Sequence, residues 1–385
     1  MQKAQEPGVP MLFWLLLILI LLALFAAGLL YISFRAARFP SVLRLVHDRR
    51  GLARLLCLAF LLVLSGFLWA LWNMMNAVVC LIHLVLFWIL ADLVSCLTAK
   101  IRKRPIRPER AGAAAIVLCV LWLAGGWVAD HHVWIREYAF ESGKLDREVR
   151  LVQITDAHIG ATFDADGFLR HLGTVNDLAP DAVLLTGDFV DDDTSRADML
   201  AACDALNEIE APDGVYFVFG NHDKGYSSAA RRGWTTEELR EALVKNGVTI
   251  LEDEAVNAAK DLCIVGRKDR SEEQRGGGRL DAAALLSPVD KSRYIVVLDH
   301  QPYDFDGEAA AGADLVLCGH THGGQFIPIN HVGEWLGENA LCYGHERRQD
   351  ADFIVSSGIS NWTFRFKTGC RSEIVLITLR PGSEG

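Results

Sequence analysis

Five short clusters concentrate carboxylate, amide and imidazole side chains: Asp156-Ala157-His158, Gly187-Asp188, Gly220-Asn221-His222-Asp223, Asp299-His300 and Gly319-His320-Thr321-His322. Side chains of these types ligate divalent cations. Two cations held close together assist hydrolysis by polarising an oxygen and acidifying a water molecule. A single Asp-x-His reads most simply as a turn or a hydrogen-bonded pair. Five such clusters in series, each following an apolar run, are not explained that way. In extended chain, residues i and i+2 point to one side, so Asp156 and His158 are expected to face a common point, as are His320 and His322. The adjoining glycines allow turns tight enough to bring these groups together.

The elements that must position the clusters are short apolar runs expected as strands at 149–155, 181–186, 214–219, 262–265, 293–298, 314–318, 352–356 and 373–379. Helix-like stretches at 166–178, 194–208 and 235–246 alternate with some of them. That alternation predicts an α/β layered domain, in which ligands bind beyond the carboxyl ends of the strands. The segment Arg275-Gly276-Gly277-Gly278-Arg279 could embrace a phosphate. Lacking a strand–helix context, it reads as a flexible surface loop.

The first 140 residues have a different character. Apolar stretches at about 11–33, 55–73, 77–98 and 111–130 are each long enough to cross a bilayer. The first is too long for a signal peptide and is read as a retained helix. The organisation predicted is a membrane region over 1–140 with four transmembrane helices and a soluble domain over 141–385. Arg35, Arg38, Arg44, Arg49, Arg50 and Arg54 lie between spans 1 and 2. Lys100, Arg102, Lys103, Arg104, Arg107 and Arg110 lie between spans 3 and 4, whereas the linker near Asn73–Asn76 is uncharged. Positive loops stay cytoplasmic, so the soluble domain is expected on the extracytoplasmic face of a bacterial inner or cell membrane. Asp92, in span 3 with His83, is read as reaching a basic group near the interface rather than as an intramembrane site. His131 and His132, beside Trp134 and Tyr138, read as an interfacial anchor belt.

Charge divides with hydropathy. Residues 1–140 carry 14 Lys/Arg and 6 Asp/Glu, whereas residues 141–385 carry 24 and 42, a net of −18. An acidic soluble half argues against a nucleic-acid surface and suits a site that holds cations. Nine cysteines without a C-x-x-C pair do not form a disulfide framework; a single Cys342–Cys370 bridge is left open.

The series formed by Asp156-Ala157-His158, Gly187-Asp188, Gly220-Asn221-His222-Asp223, His300 and Gly319-His320-Thr321-His322 resembles the signature of the calcineurin-like metallophosphoesterase superfamily. The continuation Gly323-Gly324-Gln325, with Ser356-Ser357-Gly358, resembles its membrane-associated bacterial branch. The resemblance implies a four-layer αββα sandwich and two divalent metal ions, and such donors accept Mn, Fe or Zn. By that resemblance, Asp156, His158 and His322 hold one ion, Asn221, His300 and His320 hold the other, and Asp188 bridges them. His222 touches the substrate phosphate and protonates the leaving oxygen, and Asp223 orients His222. Ala157 and Asp299 depart from the pattern, and Asp299 is expected to act on metal preference from behind His300. The implied activity is hydrolysis of a phosphodiester by water activated at the metals. A lipid-linked substrate is one candidate, because the domain is tethered at a bilayer. The alternatives are a phosphomonoesterase, a pyrophosphohydrolase, or a non-catalytic metal-containing sensory or scaffold module.

Overall fold

The computed structural model describes residues 11–103 and 107–382, without the side chains of residues 11–18, 21 and 274. The chain divides into two compact units, Met1–Ala124 and Gly125–Gly385.

The first unit is helical: α1 (Met11–Ala36), α2 (Pro40–Leu45), α3 (Arg50–Leu71), α4 (Met74–Arg102) and the greater part of α5 (Pro108–His131). Among the described residues, α3, α4 and α5 are long and apolar enough to cross a membrane. The span expected at 11–33 lies on α1, where the side chains of residues 11–18 and 21 are not described and the apolar part that is described is Leu22–Ala36. Arg104 of the second basic loop also lies outside the described residues. Leu55, Phe60, Val63 and Trp69 on α3 are largely exposed, an arrangement suited to lipid rather than water. The inner faces pack through Ile32, Leu61, Trp88, Ala91 and Ala115. Asp92 accepts hydrogen bonds from Tyr31 and Arg35 of α1, so it is paired with a basic group, as its place in the span suggested.

In the second unit, two six-stranded sheets carry the chemistry. Their orders are β1-β12-β2-β3-β4-β5 and β10-β11-β9-β8-β7-β6. The eight strands expected from the sequence all form: β2 (Val149–Ile154), β3 (Ala182–Thr186), β4 (Val215–Val218), β7 (Leu262–Gly266), β8 (Tyr294–Leu298), β9 (Leu315–Cys318), β11 (Ala351–Val355) and β12 (Glu373–Pro381). Four strands were not anticipated: β1 (Trp134–Ser142), β5 (Val248–Ile250), β6 (Glu254–Asn257) and β10 (Gly344–Arg348). They are the four sheet edges. Interior strands are covered on both faces and read as continuous apolar runs, whereas edge strands such as Glu254–Asn257 stay polar and leave no such signal. The 140/141 division drawn from hydropathy falls inside β1, which pairs in parallel with β12.

Alternation along the strands separates four layers. Leu151, Ala182, Leu184, Leu262, Val296 and Leu317 meet between the sheets. Val152, Val183, Leu185 and Phe217 face outward onto α6 (Ala165–Asp177), α7 (Arg196–Ala205) and helix Thr236–Lys245. Val265, Val297, Val316 and Phe353 face Leu285, Leu286 and Phe305 on the other side. The period of two turns one apolar run into two buried faces. The three larger helices begin where the sequence offers caps: Asp164 accepts from Gly167 N, Ser195 from Asp198 N, and Thr235 with Glu238 closes a capping box.

Candidate metal centre

All five polar clusters sit where a strand ends: after β2, β3, β4, β8 and β9. Because the two sheets face each other, these ends converge. Asp156, His158 and His322 each present a ligand atom within 4.8 Å of the others, and Asp188, His300 and His320 form a second such group. Asp188 reaches into both, its Oδ2 lying 3.7 Å from His158 Nε2 and 3.0 Å from His300 Nε2. Asn221 joins the second group with Oδ1 3.1 Å from His300 Nε2.

The hydrogen bonds around these groups leave a deficit of protons. His300 Nδ1 lies 2.8 Å from the carbonyl oxygen of Thr186, so that nitrogen carries the hydrogen. In the neutral ring Nε2 is then a lone pair, aimed at the oxygens of Asp188 and Asn221. Asn221 keeps its oxygen inward because its Nδ2 donates to Tyr226 Oη at 2.9 Å. His158 repeats the arrangement: Nδ1 is 3.1 Å from Asp191 Oδ2, while Nε2 is buried without a hydrogen-bond partner. The Nδ1 of His322 is buried and unpartnered as well. Converging lone pairs with no proton between them are what a cation satisfies, and a carboxylate behind a histidine is the usual way to aim such a ligand. The residues present therefore fit two divalent ions.

The electrostatics agree. Burial opposes the charge of Asp188, yet His300, His158 and His222 outweigh it and hold the carboxyl well below the usual range. Asp188 in turn raises His300 against the cost of its own burial, so that a proton there does the work of a missing positive charge. Burial, followed by the charge of His300, pushes His320 down to about 4. Burial with His158 alongside holds His322 well below the ordinary imidazole value. Neutral imidazole is the form that ligates.

Backbone geometry corrects one expectation. Asp156 (φ 54°), His158 (38°), Asp188 (52°), His320 (70°) and His322 (47°) all lie in the left-handed region, so the paired side chains converge through curled rather than extended backbone. Each such residue costs about 1–2 kcal/mol, and strain of this kind gathers at functional sites. The neighbouring glycines are required by close approach. A Cβ on Gly220 would stand 2.2 Å from Asp188 Oδ1, and one on Gly319 would stand 2.3 Å from Asp156 Oδ2.

A second correction concerns Asp223. Its oxygens accept from the backbone N–H groups of Asp188, Phe189, Val190 and Gly220, at 2.7–3.0 Å. It therefore organises the loop that carries Asp188 and does not orient the His222 ring. His222 stands at the mouth, its ring 4.9 Å from Trp362 and 5.2 Å from Tyr226, and burial lowers its pKa. Asp188, His222, His320, Gln325, Trp362 and Phe364 line a cleft of about 270 Å³.

Sequence reasoning missed Asp191, Tyr226, Trp362 and Phe364. Asp191 could have been noticed as a carboxylate three residues beyond Asp188; the others carry no local signal. The Arg275–Arg279 segment is not a free loop, since Arg275 donates to Asn221 O at 3.0 Å and Arg279 pairs with Asp299. The Asp299 carboxylate is taken up by Arg267 and Arg279. Cys342 and Cys370 are both free thiols. His131 stacks on Trp127 and His132 packs edge-on against Trp134.

Residues 149–324 match the sequence model of the calcineurin-like phosphoesterases. An uncharacterized metallophosphoesterase of Aquifex aeolicus is 31% identical over 267 residues, covering 68% of this chain and 98% of that protein. One from Helicobacter pylori is 28% identical over 251 residues, and the chain spans 65% of its length. A Bos taurus transmembrane protein with metallophosphoesterase domain is 26% identical over 95% of this chain and 80% of its own length.

Proposed function

The chain belongs to the calcineurin-like metallophosphoesterase family, and on that premise we propose that it is a membrane-anchored phosphodiesterase working with two divalent ions. The observation that carries this reading is the set of unshared lone pairs on His158, His300, Asn221 and Asp188, gathered at one end of two facing sheets. Asp156, His158 and His322 would hold one ion, Asn221, His300 and His320 the other, and Asp188 would serve both. When bound, the ions supply Lewis acidity toward the phosphoryl oxygens and acidify a water molecule. The side chains do the rest. Asp191 and the Thr186 carbonyl hold the His158 and His300 rings in their ligating tautomers. His222, at the cleft mouth, would donate its proton to the departing alkoxide, a contribution typical of general acids. The basic segments on either side of the uncharged Asn73–Asn76 linker support an extracytoplasmic position for the catalytic unit.

The test is to purify the full-length chain in detergent, count its metals, and assay bis(p-nitrophenyl) phosphate beside p-nitrophenyl phosphate with added Mn²⁺. Two metals per chain, with chelator-sensitive cleavage of the diester, is the expected result. Cleavage of the monoester alone would make the chain a phosphomonoesterase. A chain that retains metal yet cleaves neither would be the scaffold.

A further inference from the structure

The closing turns of α5, residues 125–131, belong to the same compact unit as the two sheets. They end a helix apolar enough to cross a membrane, so they mark the side of the unit where the chain leaves the bilayer. That end is stitched to the segment before β12. Lys367 N donates to Gly126 O at 3.0 Å, Ser372 N to Ala129 O at 2.8 Å, and Ser372 Oγ to Asp130 O at 2.7 Å. The same segment holds the next one: Thr368 N and Gly369 N donate to Gln325 O, and Ile327 N donates to Thr368 Oγ1 at 3.2 Å. Residues 325–336 thus lie one segment away from the membrane exit.

This stretch has unusual chemistry for the unit that contains it. Ile327, Ile329, Trp335 and Leu336 are 44%, 57%, 73% and 52% exposed. Residues 325–336 include one carboxylate, Glu334, whereas residues 141–385 carry 42 Asp/Glu against 24 Lys/Arg. Apolar, tryptophan-bearing and acid-poor is the composition of a surface that seats in the headgroup layer of a membrane. The stretch is also continuous with the cleft. Gln325 lines the cleft, the Phe326 ring packs edge-on against Phe364 at 4.9 Å, and Phe364 and Trp362 form the wall beside His222.

From this continuity we infer that the 326–336 rim inserts into the bilayer interface and that the substrate is a phosphoester carried by a lipid of that leaflet. The inference rests on the reading of the cleft as a phosphoesterase centre. Lipid phosphate would enter beneath Trp362 and Phe364 with its hydrocarbon still along the rim. Water adds to phosphorus, the bond from phosphorus to one alcohol oxygen breaks, and that alcohol leaves with the proton from His222. A lipid phosphodiester and a lipid phosphomonoester share this chemistry. A soluble phosphodiester would not need the rim.

The test uses the full-length, Mn²⁺-loaded chain in phosphatidylcholine vesicles containing phosphatidylglycerol or phosphatidic acid. Soluble glycerophosphoglycerol and bis(p-nitrophenyl) phosphate are the controls. The double variant Ile329→Ser/Trp335→Ser should lose about tenfold or more of its rate on one of the two lipids, because interfacial binding scales with buried apolar area. Its rate on bis(p-nitrophenyl) phosphate should be unchanged. Independently of turnover, the fluorescence difference between wild type and Trp335→Phe, in metal-free protein, should be quenched by lipid spin-labelled near the headgroup. Glycerophosphoglycerol cleaved as fast as either lipid, equal losses on lipid and soluble esters, or an unquenched Trp335 would each overturn the inference; the last would leave the rim to a protein partner. If bis(p-nitrophenyl) phosphate is not cleaved at all, it is the phosphoesterase reading that fails, and the quenching still reports on the rim.

Discussion

Buried polar groups are used differently in the two units. Among the described residues of the helical unit the buried carboxylate, hydroxyl and amide groups are matched locally, while Arg35 Nε and Trp88 Nε1 are buried without a partner. Asp92 takes Tyr31 and Arg35, Ser33 bonds back to Leu30 O, and Asn76 donates to Asn73. In the unit of the two sheets, His158 Nε2 and His322 Nδ1 are buried without partners, and His300 Nε2 faces two oxygens. Five of the candidate ligand residues there also sit in the left-handed backbone region. A lipid environment punishes a charge left open, so α1 and α4 pair Asp92 with Arg35. A site fit to receive cations keeps its donors open and depends on the surrounding sheets to absorb the cost. Polarity that is paired stabilises; open lone pairs that converge on one point indicate a site.

Mutations should separate these two uses. Asp188→Asn strikes the group that reaches both clusters. It should lower turnover by about 10⁴-fold or more, the scale on which single catalytic groups fail, with metal content dropping below that of wild type. His222→Ala should leave metal content unchanged and slow alkyl esters by about 10²- to 10³-fold, within the range of general acids, and aryl esters much less. His222 must be protonated to act, and burial lowers its pKa. The wild-type rate on alkyl esters should therefore fall as pH rises through a value below that of free imidazole, a limb the variant lacks; loss of metals instead would reassign the residue. Asp191→Asn should weaken metal binding by about 10–100-fold, the usual cost of removing a carboxylate behind a ligating histidine. Metal titration of the apo chain reads this directly. Asp92→Asn should have the smallest effect, about 1 kcal/mol of helix-packing stability with no change in turnover. If it abolished hydrolysis, the division between paired and open polarity would not hold.

How much of this was legible in the sequence follows from where each signal lies. Ligand candidates were readable because residue type and order survive in the chain: Asp156, His158, Asp188, Asn221, His300, His320 and His322 are named by cluster, and all end up at strand termini. The eight interior strands were readable because burial on both faces demands continuous apolar runs. Edge strands β1, β5, β6 and β10 were not, since a strand paired on one side needs no such run. Asp223 was misassigned because adjacency to His222 says nothing about direction; its oxygens turn the other way, onto four backbone N–H groups.

By itself, the sequence determined the apolar helices, the α/β class and the candidate donors, because hydropathy length, periodicity and side-chain chemistry are local quantities. Only the tertiary structure decided which donors share a point, that Asp191 stands behind His158, and that the Trp362–Phe364 wall continues into an apolar rim beside the end of α5. Those are distances between residues far apart in the chain, and they exist only once two sheets have packed face to face.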